Sequence, residues 1–242
     1  MREIREYVMI TIGALIITFV PWTNSWADGD WEFRFVPFLW ASSLTGELGP
    51  KTRPATVNMD FSDLFEMTEA GFTGEIDATY KEDWWFAVEG QYLELEEKGT
   101  GPGGARVKAD VTFGIASFVV GKRLIQNIDV YTGGRYLHMD TDVSLTGVPT
   151  IGKKEEWVDP IIGFRIRADA TEKLFIRFGM DVGGFGVNSD FTYAFLSNVN
   201  YAFNDRYSAI FGYRMLDVEY DKGGFLFDAK MDGLLLGLAI TF

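Results

Sequence analysis

The sequence predicts an all-β chain folded as a closed antiparallel transmembrane β-barrel of ten strands, eight being the alternative count, with short periplasmic turns. Three observations lead there. After residue 27 the hydropathy pattern has period two almost throughout, in runs of about ten or more residues separated by Gly, Asp, Asn and Lys clusters. Soluble strands usually run about 5 to 6 residues, whereas a tilted membrane-crossing strand needs about 9 to 11. In the last run, Leu234, Leu236, Leu238, Ile240 and Phe242 share one face while Gly233, Leu235, Gly237, Ala239 and Thr241 share the other, so one face is a continuous apolar band.

Composition excludes several classes. The 242 residues carry 35 acidic and 22 basic side chains, a formal charge of -13, and no cysteine. Nucleic acid is thereby excluded as a partner, because phosphate neutralisation needs clustered Lys and Arg. Disulfide scaffolds and thiolate metal sites are excluded as well.

The first 27 residues predict a cleaved secretory signal peptide. Arg2 and Arg5 precede a mostly apolar run at 8–20, and Ser25 and Ala27 flank Trp26 at the cleavage position. The apolar run is too short for the roughly 20 residues of a spanning helix. The mature chain, 28–242, is then one outer-membrane barrel reached through the secretory pathway.

Ten strands are predicted at 31–45, 69–81, 84–96, 106–122, 129–141, 156–169, 174–187, 190–203, 207–220 and 225–242. A Lys or Arg on the lipid face costs roughly 2 to 4 kcal/mol at the bilayer midplane, so charges are placed inward and set the phase of each strand. Arg177 and Asp181 then point in against Ile176, Phe178 and Met180; Arg165, Arg167 and Asp159 point in against Ile162 and Phe164. The even-numbered links are all short and the long ones, 46–68 and 142–155 among them, fall on the other side, which is therefore extracellular. Trp31, Trp84, Phe203, Tyr207 and Phe242 mark the periplasmic boundary, and Tyr92, Tyr193 and Tyr213 the outer one.

Several segments together resemble a group of uncharacterised proteobacterial outer-membrane β-barrel proteins: 31–40 (WEFRFVPFLW), 60–64 (DFSDL), 159–165 (DPIIGFR), 181–186 (DVGGFG), 212–214 (GYR) and the terminal Phe242. The resemblance implies fold and location and no activity. The terminal strand also resembles the C-terminal signal read by the barrel-assembly machinery. Omptin proteases share ten strands, but their chemistry needs aspartate pairs with a histidine near the outer rim of a taller barrel. This strand set reads as shorter and matches no omptin motif.

The candidate site is a charge network lining the lumen: Arg34, Glu75, Asp77, Glu89, Lys108, Asp110, Arg135, Arg165, Arg177, Asp181 and Arg214. Buried charges must pair or be hydrated, so these residues form either a plug or a narrow pore for small solutes. Eight strands are filled by side chains and sixteen leave a channel, which puts ten near the filled end. The segment 60–68 reads as a short helix, with Asp63 and Glu66 at capping-box spacing, and Asp63, Leu64 and Phe65 form a candidate gate over the mouth. The single histidine, His138, reads as a rim residue at the headgroup level, with no second imidazole for a metal site. The stretch GTGPGG at 99–104 lacks the Lys-Ser/Thr of a phosphate loop and reads as a turn. No catalytic residue, metal or cofactor is expected. The partners are outer-membrane lipid and lipopolysaccharide; acidic rim residues such as Glu94, Glu96 and Asp140 read first as ordinary solvated loop carboxylates, with bridging of lipopolysaccharide through divalent cations as the alternative. An enzyme acting at the rim through His138, or a receptor or adhesin using the long loops, is the alternative.

Overall fold

The computed structural model describes residues 30–100, 106–145 and 147–242. The expected leader and the centre of the expected turn at 99–104 lie outside the described residues. In chain order the elements are β1 (Trp31–Pro50), β2 (Ala55–Met59), α1 (Phe61–Met67), β3 (Thr68–Tyr80), β4 (Trp84–Thr100), β5 (Arg106–Ile125), β6 (Ile128–Leu145), β7 (Val148–Asp169), β8 (Leu174–Gly183), β9 (Phe191–Ala202), β10 (Tyr207–Lys222) and β11 (Phe225–Thr241). Each long strand pairs antiparallel with its sequence neighbour, and β1 also pairs with β11. The wall is therefore a closed ten-stranded barrel with one additional short strand, β2.

Register fixes the geometry of the barrel. Stepping from Arg34 across Asp77, Ala87, Val119, Gly133, Ile161, Gly183, Thr192, Val218 and Ala229 returns to β1 at Gly46, twelve residues above the start. With strands about 4.8 Å apart and about 3.3 Å per residue, that stagger requires a tilt of about 40° and a radius of about 10 Å. Such a lumen is narrow enough for side chains to fill it.

The two faces separate as period two requires. Phe72, Ile76, Val88, Phe118, Val158, Ile162, Phe211, Leu234 and Leu236 are exposed on the outside, and the residues one step along each strand from them turn inward. Trp31, Trp84, Phe203 and Phe242 are exposed at the periplasmic edge, and Tyr92 and Tyr213 near the outer one. Gly233 lies at the β1–β11 seam, where a Cβ would stand 1.9 Å from the Ala41 carbonyl oxygen. Only glycine lets the two backbones approach there.

The strands are longer than the sequence predicts on the extracellular side. β1 runs 20 residues, β5 20 and β7 22. The expected loop at 142–155 is mostly wall, since the β6–β7 ladder continues up to Leu145↔Val148. Nothing in a period-two pattern marks where the membrane stops and the ladder goes on in water. The barrel thus rises well above its apolar belt, and strand length does not set it apart from tall barrels. The β8–β9 connection, conversely, is longer than expected, because β8 ends at Gly183 and β9 begins at Phe191.

The expected loop at 46–68 is also ordered. The β1–β3 ladder ends at Pro37↔Gly74, and β2 takes up the same edge of β1 only from Leu44↔Met59. Proline supplies no backbone donor, which suits the point where the ladder parts. Above it the Thr73 hydroxyl donates to the Phe38 carbonyl. α1 packs on β1, β2 and β4, in the wall beside that interruption.

Candidate functional site

Because the register rows climb as they circle the barrel, inward residues sort into three levels. The lowest, at the periplasmic end, is ionic. The Arg34 guanidinium lies 2.8 Å from Asp77 and 3.5 Å from Glu75. Arg165 Nε donates to Asp129 at 2.6 Å, and its guanidinium covers the Trp85 ring at 3.6 Å. Arg123 Nε reaches the same carboxylate at 3.5 Å.

The middle level holds two buried pairs. Arg135 Nη2 donates to both oxygens of Asp181 at 2.9 Å, and the Tyr131 hydroxyl donates to the same carboxylate at 3.1 Å. Arg214 Nη2 donates to Glu89 at 2.5 Å, with its guanidinium 4.8 Å from the Trp40 ring. The first pair spans β7 to join β6 and β8, whereas the second crosses the lumen from β10 to β4 and so ties distant parts of the wall together.

The extracellular half of the interior is built around an apolar cluster, with the inward-facing Lys153–Glu155 pair, 3.0 Å apart, beside it. Leu137, Trp157, Leu216, Val218, Tyr220, Phe227 and Met231 form one buried cluster with Trp40, Leu48 and Ile115. Trp157 stacks on Tyr220 at 4.0 Å and meets Phe227 edge-on at 5.7 Å. Its indole N–H lies 3.0 Å from Asp159 Oδ2 and 2.9 Å from Ser189 Oγ. Asp159, fully buried, accepts from the Ser189 amide at 2.8 Å and the Ser189 hydroxyl at 2.5 Å. These bonds fasten the β8–β9 connection down onto the apolar cluster.

Of the predicted lumen residues, Arg34, Glu75, Asp77, Glu89, Arg135, Arg165, Arg177, Asp181 and Arg214 lie on the inward face, and all but Arg177 join the pairs above. Lys108 and Asp110 do not. On β5, Ile115 and Val119 are buried and Phe118 is exposed, so even-numbered residues face out. Lys108 Nζ pairs there with Glu96 at 2.7 Å and Asp110 at 2.6 Å. The rule that sends charges inward holds only within the apolar belt, and these residues stand above it. The prediction of lumen charges missed Asp129 with Arg123, the inward Lys153–Glu155 pair of β7 and the Asp159–Ser189 contact. Asp129 begins its strand, where alternation has not yet set a phase.

The helix is capped one turn earlier than its sequence suggests. Asp60 is the N-cap: its carboxylate accepts from the Asp63 amide at 3.0 Å, and Asp63 Oδ2 accepts from the Asp60 amide at 3.1 Å. Asp60/Asp63 and Asp63/Glu66 have the same spacing, and only the first has an extended residue before the helix. Leu64 is buried, whereas the Phe65 ring lies tilted against Phe61 at 5.7 Å and both are exposed. Asp63, Leu64 and Phe65 therefore sit in the side wall.

Bonding from the Ser62 hydroxyl, then from the Asp63 amide, holds the Asp60 carboxyl below the usual aspartate range. A carboxylate depressed in the folded state stabilises above its unfolded pKa, and that contribution disappears as pH falls through the lower folded value. α1 is expected to loosen below about pH 4. Amide-exchange protection at Asp63 and Leu64, corrected for intrinsic rates, measures it; protection unchanged through that range would show that the cap does not hold α1.

His138 lies on the outer face of β6. It stacks on Tyr136 at 6.3 Å, and its Nδ1 is 3.7 Å from Glu156. With Tyr92, Gly114, Ala116 and Tyr136 it lines a shallow surface cavity of about 260 Å³. Among the described residues no Ser or Thr hydroxyl is bonded to it, and the lumen charges are on the other side of the wall.

A closed ten-stranded antiparallel wall, apolar outside and ion-paired within, is the architecture of outer-membrane β-barrel proteins. Among solved structures the chain is similar to the outer membrane protease OmpT from Escherichia coli, at 12% identity and a TM-score of 0.57 over 91% of this chain and 99% of that one. It also matches Ail, the attachment invasion locus protein of Yersinia pestis, at 10% identity and a TM-score of 0.42, covering 88% of this chain and 99% of that one. These likenesses are of fold. No protein-family model and no curated protein matches the chain.

Proposed function

We propose that this chain is an integral outer-membrane β-barrel protein without a catalytic role, closed in the state described, and that it belongs with the uncharacterised proteobacterial barrel proteins its segments resemble. The observation that carries this is the buried Trp157–Tyr220–Phe227 cluster, which with its neighbours occupies the extracellular half of the lumen above the ionic floor. An ion crossing it would lose its hydration without gaining a ligand. The role is structural, or that of a narrow pore for small solutes that conducts only when the apolar layer parts. Export through the cleaved leader, assembly through the terminal Phe242, and an exterior solvated by outer-membrane lipid and lipopolysaccharide complete the reading.

The refolded mature chain in a planar bilayer is expected to stay silent at moderate voltage. Steady conductance steps, with an ion selectivity altered by Arg177→Gln or Arg214→Gln, would instead establish an open pore through the lumen. The enzymatic alternative would have to be built on His138, whose contacts are an aromatic ring and a carboxylate on the membrane side of the wall. Loss of any hydrolytic activity in His138→Ala would favour that alternative.

A further inference from the structure

One guanidinium in the floor stands apart. Arg177 lies inward on β8, directly across the ladder from Arg167 of β7. Like charges at opposite positions destabilise a strand pair unless something offsets them. Both guanidiniums approach the ring of Phe175, at 3.7 Å for Arg167 and 5.9 Å for Arg177, so the two share one small space. Arg167 is balanced by Asp169, whose Oδ1 accepts from its Nε at 2.8 Å. Among the described residues no carboxylate comes within ion-pair distance of Arg177. On its other side β9 offers Asn198, an amide without charge. The charges that act on Arg177 most strongly are two further guanidiniums, Arg34 and Arg165, and the carboxylates Glu75 and Asp77. Asp77 is bonded to Arg34, and Glu75 is in ion-pair contact with it.

We propose that Arg177, with Arg167 and Arg165 beside it, forms a binding site for a soluble multivalent oxyanion of phosphate size, entering from the periplasmic end of the lumen. The planar fork of guanidinium matches an oxyanion with paired hydrogen bonds, and an ion with several oxygens serves more than one arginine at once. Access is from the periplasmic end: the Arg167 side chain is half exposed, Arg177 is half-buried behind it, and both lie near the ends of β7 and β8 next to the periplasmic turn. The anion does for Arg177 what Asp77 does for Arg34. This site does not depend on conduction, so a silent barrel leaves it standing.

The test uses the refolded mature chain in detergent micelles, with inorganic phosphate exchanged for chloride at constant ionic strength. Phosphate is expected to raise the unfolding midpoint of the wild type along a saturating curve, and to raise that of Arg177→Gln at about tenfold higher concentration or not at all. In chloride alone Arg177→Gln should be at least as stable as the wild type, because an uncompensated charge has been removed. Arg177→Lys should respond to phosphate more weakly than the wild type but more than the glutamine variant. Phosphorus NMR gives a reading that needs no variant: the wild-type barrel should broaden the phosphate line, and sulfate should compete. A wild type that responds to phosphate no more than to chloride, or an Arg177→Gln variant that responds equally, overturns the proposal.

Discussion

Asp181→Ala is expected to destabilise the barrel by about 3–5 kcal/mol, because it leaves the guanidinium of Arg135 buried without a counter-charge. Side-chain exposure is 4% for Arg135 and 8% for Asp181, so water cannot replace the lost carboxylate without the wall opening. Arg135 has no reserve: its Nε and Nη1 already lack partners among the described residues. The Tyr131 hydroxyl would lose its acceptor in the same step. Replacing both ions together, as Arg135→Met with Asp181→Leu, should recover most of the loss, since apolar residues of similar volume often match a buried pair. Urea unfolding of the refolded wild type and of both variants measures these differences. A single variant within about 1 kcal/mol of wild type would mean that the pair is hydrated and the middle level is not a plug.

Trp157→Ala should have an effect of similar size, about 3–5 kcal/mol, through a different cause. The ring is nearly fully buried between Tyr220 and Phe227, and truncation leaves a cavity that a closed wall can collapse around only partly. It also removes one of the three hydrogen bonds held by Asp159. Trp157→Phe keeps the stacking and loses the indole donor, and should lose about 1–3 kcal/mol. Protease nicking between Gly184 and Asp190 should rise in the alanine variant, because that connection is fastened through Asp159 and Ser189. Equal stability of the alanine variant and wild type would show that the extracellular half of the lumen is not a packed core.

The exterior was legible in the sequence because lipid penalises charge steeply. That penalty set the phase of β7, β8 and β10, and the apolar band set that of β11; all four lie as the alternation requires, with Leu234 and Leu236 outside and Leu235 within. Lys108 and Asp110 were misread because the same rule was carried past the belt, where an outward ion pair with Glu96 meets water. The inward position of most lumen charges followed from alternation, but their partners did not. Arg214 finds Glu89 across 125 positions of sequence, a pairing fixed by tilt and stagger and by nothing local. β2 was invisible because five residues alternating within a loop have no signal until β1 offers them an edge. The apolar cluster was missed for a related reason. A strand such as β11, apolar on both faces, announces its lipid face and conceals which inward residues meet across the lumen.

The seam between β1 and β11 also governs how the molecule comes into being. Every other backbone pairing between long strands joins strands consecutive along the chain, whereas Arg34 meets Thr241 across roughly 200 residues. Hairpins can therefore form in order as the chain emerges, each with a short loop to close. The first strand must wait, with one edge unsatisfied, until the last has been made. Closure is the slow, non-local event in this topology, the kind of contact that sets folding rates. It is also the step in which Gly233 admits the Ala41 backbone, so a side chain there would act on the time needed to seal the wall before it acted on any hairpin.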